Sequence, residues 1–289
     1  MKSLAFVQRN DTHFAVGDFS PVLSVFSYHD LGSTITPFLL LDHIGPGRLI
    51  PSTRSKGVNE HPHRGFETVT IVYEGEIEHR DSTSAGGIIR AGDVQWMTAA
   101  AGIVHRELFS DDFTQRGGRF EMVQLWINLP AADKMGPPGY QSLTHTQIPS
   151  VGLPDATGTV RVIAGQFEGV SGPARTHTRM NVLDVRLHAG HAASFSTRDG
   201  DTALVYLLSG RLQFGQDEPL EAQGLAVLSQ QGADVTVTAL ENSRLLVLTG
   251  ERIDEPINGH GPFVMNSYDE ILQAYDDVKN GRLGQPASH

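Results

Sequence analysis

The sequence predicts an all-β chain of two related halves, and three observations carry that reading. Short runs of β-branched, aromatic and aliphatic residues alternate with turn residues along all 289 positions, with Gly 31 and Pro 15. That is the rhythm of a sandwich or barrel and not of βαβ units. Thr68-Val-Thr-Ile-Val-Tyr-Glu-Gly75 is echoed by Ala203-Leu-Val-Tyr-Leu-Leu-Ser-Gly210, as an internal duplication would give. Helical periodicity stands out only near the C-terminal end.

Taken in order, Glu67–Tyr73, Val94–Met97, Met122–Asn128, Ala203–Leu208 and Ser243–Thr249 have strand composition. Pro130-Ala-Ala-Asp-Lys-Met-Gly-Pro-Pro-Gly139 has the Pro/Gly density of a connector, which places a boundary near residue 140. The expected domains are therefore 1–139 and 140–289, the second ending in a helix. That helix spans Ser267 to Asn280: Ser267 with Glu270 forms a capping box, Ile271, Ala274, Tyr275 and Val278 form a stripe, and Gly281 follows.

Composition excludes several chemistries. The chain has no Cys, so disulfides, thiolate zinc sites, iron–sulfur clusters and cysteine nucleophiles are ruled out, and any metal must be held by nitrogen and oxygen. Only Leu4 to Val7 are apolar before Gln8, Arg9 and Asn10, too short for a signal-peptide core, so a cytoplasmic protein is expected. No stretch approaches the roughly 20 apolar residues of a membrane span. The net charge of −11 repels phosphate backbones and anionic lipid, so neither nucleic acid nor membrane is expected as a direct partner. A monomer is expected.

Two histidine-bearing segments carry the chemistry. His61-Pro-His63 precedes a strand, and residues two apart on extended chain share a face at about 7 Å between Cα atoms. Pro62 favours that conformation, since it pushes His61 towards the β region. His105-Arg-Glu107 repeats the spacing after the turn at Ala101-Gly102. Together they make a three-His, one-carboxylate set of the kind that binds first-row transition metals. A lone His-x-His pair is more often a surface pair than a ligand set; the second pair shifts the balance.

Glu67 is the runner-up carboxylate, sharing the face of His63 if the strand runs unbroken. Val69, Ile71 and Tyr73 would then line the site. A bulge at Gly65 would turn Glu67 away and present Thr68, Thr70 and Val72 instead, a more polar wall. Gln124 and Trp126 alternate on one apolar strand, where Trp is more often core than pocket wall. His79 and Asp81 read as a charged hairpin end, without a role. In the second half, aligning Gly210 with Gly75 puts Ser196 and Arg198 where His61 and His63 stand. A metal-free, structural second barrel is expected.

His61-Pro-His-Arg-Gly-Phe-Glu-Thr-Val-Thr70, Gly75-Glu-Ile-Glu-His-Arg-Asp-Ser82, Gly92-Asp-Val-Gln-Trp-Met-Thr-Ala99 and Gly102-Ile-Val-His-Arg-Glu107 resemble the motifs of the pirin family. Pro37–His43, Gln124–Met135 and Gly261–Asn266 extend the resemblance over nearly the whole chain. The resemblance implies a bicupin, two tandem antiparallel β-barrels (double-stranded β-helix) with a short C-terminal helix. It implies one transition-metal ion, Fe(II) first, with Mn, Ni, Cu or Zn as alternatives, on His61, His63, His105 and Glu107. It further implies dioxygenase activity on quercetin or a related flavonol, with dioxygen as co-substrate. The more polar wall given by a bulge at Gly65 would be less suited to a flavonol. Because the motif offers no other unambiguous carboxylate, Glu107 is expected to act as both ligand and proton acceptor. The alternative it carries is a metal-dependent regulatory or interaction protein with a protein partner, either a transcriptional co-regulator or a modulator of a metabolic enzyme.

Overall fold

The computed structural model describes residues 1–286. It divides into two compact units that interleave along the chain. One comprises residues 11–27, 38–145 and the segment from Ile253 onward; the other comprises 1–10, 28–37 and 146–252.

The first unit holds a seven-stranded sheet in the order Gly139–Leu143, Val94–Thr98, Phe66–Glu74, Gly118–Asn128, Phe38–Leu49, Phe19–Ser27, His13–Val16. A four-stranded sheet, Gly57–His63, Ile103–Phe109, Glu76–Asp81, Gly86–Arg90, belongs to the same unit. Neighbouring strands are antiparallel. Side chains from both sheets form its core: Phe19, Val22, Val72 and Met122 from the larger, Ile77 and Phe109 from the smaller. Phe109 stands edge-on to Phe19, with ring centroids 4.9 Å apart, the arrangement favoured by the ring quadrupole.

The predicted connector is instead built into this unit. Lys134, at the end of the short helix Ala131–Lys134, is buried and donates to Gly65 O and Asn128 Oδ1, both at 2.6 Å, and to Val264 O at 2.9 Å. The strand after it, Gly139–Leu143, pairs with Val94–Thr98. A single cut at 139/140 does not describe the compact units, because Gly139–Leu143 and the segment from Ile253 onward belong to the first unit and residues 1–10 and 28–37 to the other.

The C-terminal helix runs from Tyr268 to Lys279, with the reciprocal Ser267–Glu270 capping box in place. It too packs within the first unit. Ile271 and Ala274 pack on Phe263 and Met265, and Asp277 pairs with Arg64 at 2.8 Å. Among the described residues no helix is long and apolar enough to cross a membrane.

The second unit repeats the plan. Its seven-stranded sheet runs Leu4–Gln8, Leu225–Leu228, Thr202–Ser209, Ser243–Gly250, Met180–Leu187, Gly158–Ala164, Ser150–Gly152, and its four-stranded sheet Ala192–Ser196, Asp234–Ala239, Arg211–Gln213, Leu220–Glu221. Its interior is filled by apolar side chains, among them Val160, Leu183, Phe195, Val205, Phe214 and Val247. The echoed segments occupy equivalent places: each is an inner strand of its larger sheet, ending at a glycine with φ of +92° (Gly75) or +95° (Gly210). That left-handed conformation suits glycine.

Candidate metal centre

Antiparallel pairing of Gly57–His63 with Ile103–Phe109 sets His105 opposite His61 and Ile103 opposite His63. Strand alternation turns Ile103, His105, Glu107 and Phe109 inward, all buried, while Val104, Arg106 and Leu108 are only half-buried. The three imidazoles therefore converge. Ring centroids are 4.8 Å apart for His61–His63, 4.2 Å for His61–His105 and 4.9 Å for His63–His105. One nitrogen from each lies within 4.8 Å of the others. A second grouping at the same spacing joins His79, His105 and Glu107, so His105 belongs to both and links the carboxylate to the histidine cluster.

Burial, followed by the nearby His61, lowers the His63 pKa to about 3, against a hydrogen bond to the Pro262 carbonyl that pulls the other way. His105 is held well below the ordinary imidazole range by burial and by its three histidine neighbours. Neutral rings offer lone pairs. The buried His105 Nε2 has no hydrogen-bond partner among the described residues, an arrangement costing about 1–3 kcal/mol unless something satisfies it. Converging lone pairs beside a carboxylate fit a transition-metal cation.

The carboxylate is steered from the larger sheet. Gln95 Nε2 lies 2.6 Å and Thr70 Oγ1 3.1 Å from Glu107 Oε1, and Thr70 Oγ1 is also 2.8 Å from Gln124 Oε1. Thr70 faces inward because the chain breaks between His63 and Phe66. Gly65 there has φ +88°, and a Cβ would collide with the Val264 carbonyl. The bulged alternative therefore holds: Thr70 reaches Glu107 and Val72 joins the inner core, while the unbroken face of Val69, Ile71 and Tyr73 does not line the site. Glu67 points with that other face and accepts from Thr98 Oγ1 at 2.7 Å.

A cavity of about 180 Å³ opens at the cluster, lined by His61, His63, Glu107 and Gln124 and walled by Phe19, Ile44, Val58, Met122 and Trp126. Trp126 is thus wall and not core, 5.3 Å from His63 and 4.3 Å from Phe66 between ring centroids. Asp42 also lines it; burial raises its pKa to about 6, against a hydrogen bond with Ser24.

His79 and Asp81 depart from their reading as a solvated hairpin end. Both are buried, on the same face of Glu76–Asp81 as Ile77. His79 Nε2 is 3.0 Å from Asp81 Oδ2, His79 Nδ1 is 3.3 Å from His105 Nδ1, and Tyr140 stacks on the His79 ring at 4.8 Å. Burial disfavours the Asp81 charge, yet bonds from His79 and Thr83 hold its pKa below the ordinary value. The signal available in sequence was the alternation Ile77, His79, Asp81, the same spacing that marks the His61 and His105 segments. In the second unit Ser196 and Arg198 are exposed, and Ser196 Oγ bonds Asp234 Oδ1 at 3.2 Å.

The pirin family model matches residues 20–127, and the model of the pirin C-terminal cupin domain matches residues 182–284. A Pseudomonas aeruginosa protein provisionally named quercetin 2,3-dioxygenase is 52% identical over 283 residues, covering 98% of this chain and 99% of that one. The chain belongs to the pirin family. The crystal structure of a quercetin 2,3-dioxygenase from Acinetobacter baumannii superposes with a TM-score of 0.96 at 44% identity, covering 99% of each chain. A bacterial pirin from Escherichia coli, solved in complex with nickel(II), shares the fold at a TM-score of 0.62 and 20% identity, over 84% of this chain and 97% of that one. The chain accordingly has the bicupin fold of the pirins.

Proposed function

We propose that His61, His63, His105 and Glu107 hold one transition-metal ion, Fe(II) before manganese, nickel, copper or zinc, and that the chain is a metal-dependent dioxygenase acting on quercetin or a related flavonol. The observation that carries this is the convergence of the His61, His63 and His105 imidazoles, with the buried His105 Nε2 unpartnered among the described residues, beside an aromatic-walled cavity that His61, His63 and Glu107 line. The names of the 52%- and 44%-identical relatives support the substrate class, and the Cys-free composition supports a cytoplasmic setting.

His61, His63, His105 and Glu107 would hold the ion, which would supply Lewis acidity and redox chemistry at this end of the cavity. Glu107 takes the proton of the flavonol 3-hydroxyl at its carboxylate, oriented by the Gln95 amide and the Thr70 hydroxyl. Trp126 offers a flat aromatic face, while Phe19, Ile44, Val58 and Met122 exclude water from the ring that enters. At about 180 Å³ the cavity is smaller than the roughly 300–1,000 Å³ that encloses a drug-sized ligand. It therefore receives one end of a three-ring flavonol and leaves the rest at its mouth.

The test is quercetin turnover by Fe(II)-loaded protein under air, with His63→Ala as control. Turnover that disappears in the variant is expected. No oxidation with iron, manganese, nickel or copper would overturn the enzyme reading in favour of a metal-dependent regulatory protein.

A further inference from the structure

We infer that Asp81 and His79 are positioning residues that fix the tautomer of His105, so that its Nε2 presents a lone pair and not an N–H to the metal position. The inference rests on the metal reading proposed above.

Asp81 Oδ1 accepts from Thr83 N at 2.8 Å, Thr83 Oγ1 at 2.6 Å and Ala85 N at 3.2 Å. Three donors on one oxygen anchor the group as a carboxylate in its turn. Its other oxygen, Oδ2, lies 3.0 Å from His79 Nε2. A carboxylate only accepts, so His79 Nε2 carries the proton. With His79 taken as a neutral imidazole, that proton is its one N–H, which leaves a lone pair on His79 Nδ1. That atom lies 3.3 Å from His105 Nδ1, which must then be the donor. His105 is left with a bare Nε2, the very atom that is buried without a hydrogen-bond partner among the described residues.

The His79 ring is held in place by its surroundings. His79 is 0% exposed and stacks on Tyr140 with 15° between the ring planes. His79 could instead be a ligand itself, since it groups with His105 and Glu107. Against that, both its nitrogens are already engaged, one by Asp81 and one by His105. Outer partners of this kind set ligand orientation and basicity, and their loss costs about 10–100-fold in metal affinity.

Asp81→Asn tests the chain of protons. The amide keeps an oxygen for Thr83 and Ala85 but turns an NH₂ towards His79 Nε2. That atom must then accept, His79 Nδ1 must carry the proton, and His105 must move its own proton to Nε2. In the metal-free full chain, ¹⁵N-histidine NMR should show His105 protonated at Nδ1 in the wild type and at Nε2 in Asp81→Asn. Anaerobic Fe(II) calorimetry should show an affinity about 10–100-fold weaker in the variant, with an unchanged circular dichroism spectrum. His79→Phe, which keeps the stack on Tyr140 but has no nitrogens, should give a mixture of His105 tautomers and also bind Fe(II) more weakly. The inference is overturned if wild-type His105 is protonated at Nε2, if both variants bind Fe(II) as the wild type does, or if zinc addition shows His79 Nδ1 coordinated. A wild type that binds no metal would sink the metal reading, while the metal-free spectra would still decide the tautomer.

Discussion

Gln95 Nε2 sits 2.6 Å from Glu107 Oε1, so the larger sheet, through one amide, aims a carboxylate that belongs to the smaller one. Glu107→Gln keeps a coordinating oxygen but loses the charge and proton affinity of the carboxylate. Iron should partly remain while flavonol oxidation falls by about 10²-fold or more, the scale of a positioned acid–base group. Full turnover at normal iron content would place the base elsewhere. The next candidate would then be Asp42 in the cavity wall, since Glu67 is committed to Thr98 on the other face.

Metal content separates the two units. Purified protein should carry about one transition-metal ion per chain, and His61→Ala or His105→Ala should lose most of it because an open shell binds weakly. Ser196→Ala and Arg198→Ala should leave it unchanged, as both side chains are exposed on a unit whose interior is apolar. Elemental analysis reads this directly. Two ions per chain, or metal loss in either second-unit variant, would contradict the assignment.

The strands, the capped helix and the convergence of His61, His63 and His105 were legible because each rests on a local period: two for the strands, three to four for the helix. Where the sequence was silent, the cause was tertiary. Nothing local says that Lys134 is caged by carbonyls from Gly65 and Val264, so its segment read as a loose connector. Nothing local says that Arg64 meets Asp277, so the packing of the last helix on the unit that carries the histidine cluster could not be seen. His79 and Asp81 did carry a usable period, but a charged pair beside a turn has the composition of a solvated hairpin, and only the covering Tyr140 and His105 rings bury it.

Asp42 supplies a pH dependence. Burial raises its folded pKa to about 6 from 3.8, so the folded state prefers the protonated form. Its contribution to stability is present below the unfolded value and is lost as pH rises from about 4 through 6. Asp42→Asn cannot ionise and should escape that loss. In metal-free protein its stability relative to wild type should rise by on the order of 2 kcal/mol between pH 4 and 7. Parallel denaturation curves at the two pH values would contradict the shifted pKa.

Lys134 links stability to the site. Burial lowers its pKa to about 7, with the charges of Glu255 and Glu270 opposing that shift. Three oxygens nonetheless receive its Nζ, among them the carbonyl of Gly65, two residues beyond His63. Lys134→Met keeps the volume but leaves those acceptors without a donor, which should cost about 3 kcal/mol or more. Because the depressed folded pKa favours the neutral amine, wild-type stability should gain from this group as pH rises from about 7 towards 10.5, and the variant should lack that slope. Loss of the Gly65 anchor should also loosen the turn that presents His63, so Fe(II) affinity should fall although no ligand has been removed. Denaturant melts at pH 7 and pH 9, run beside metal titrations, measure both effects. A variant with wild-type stability at both pH values would show that the buried Lys134 side chain does not hold this turn.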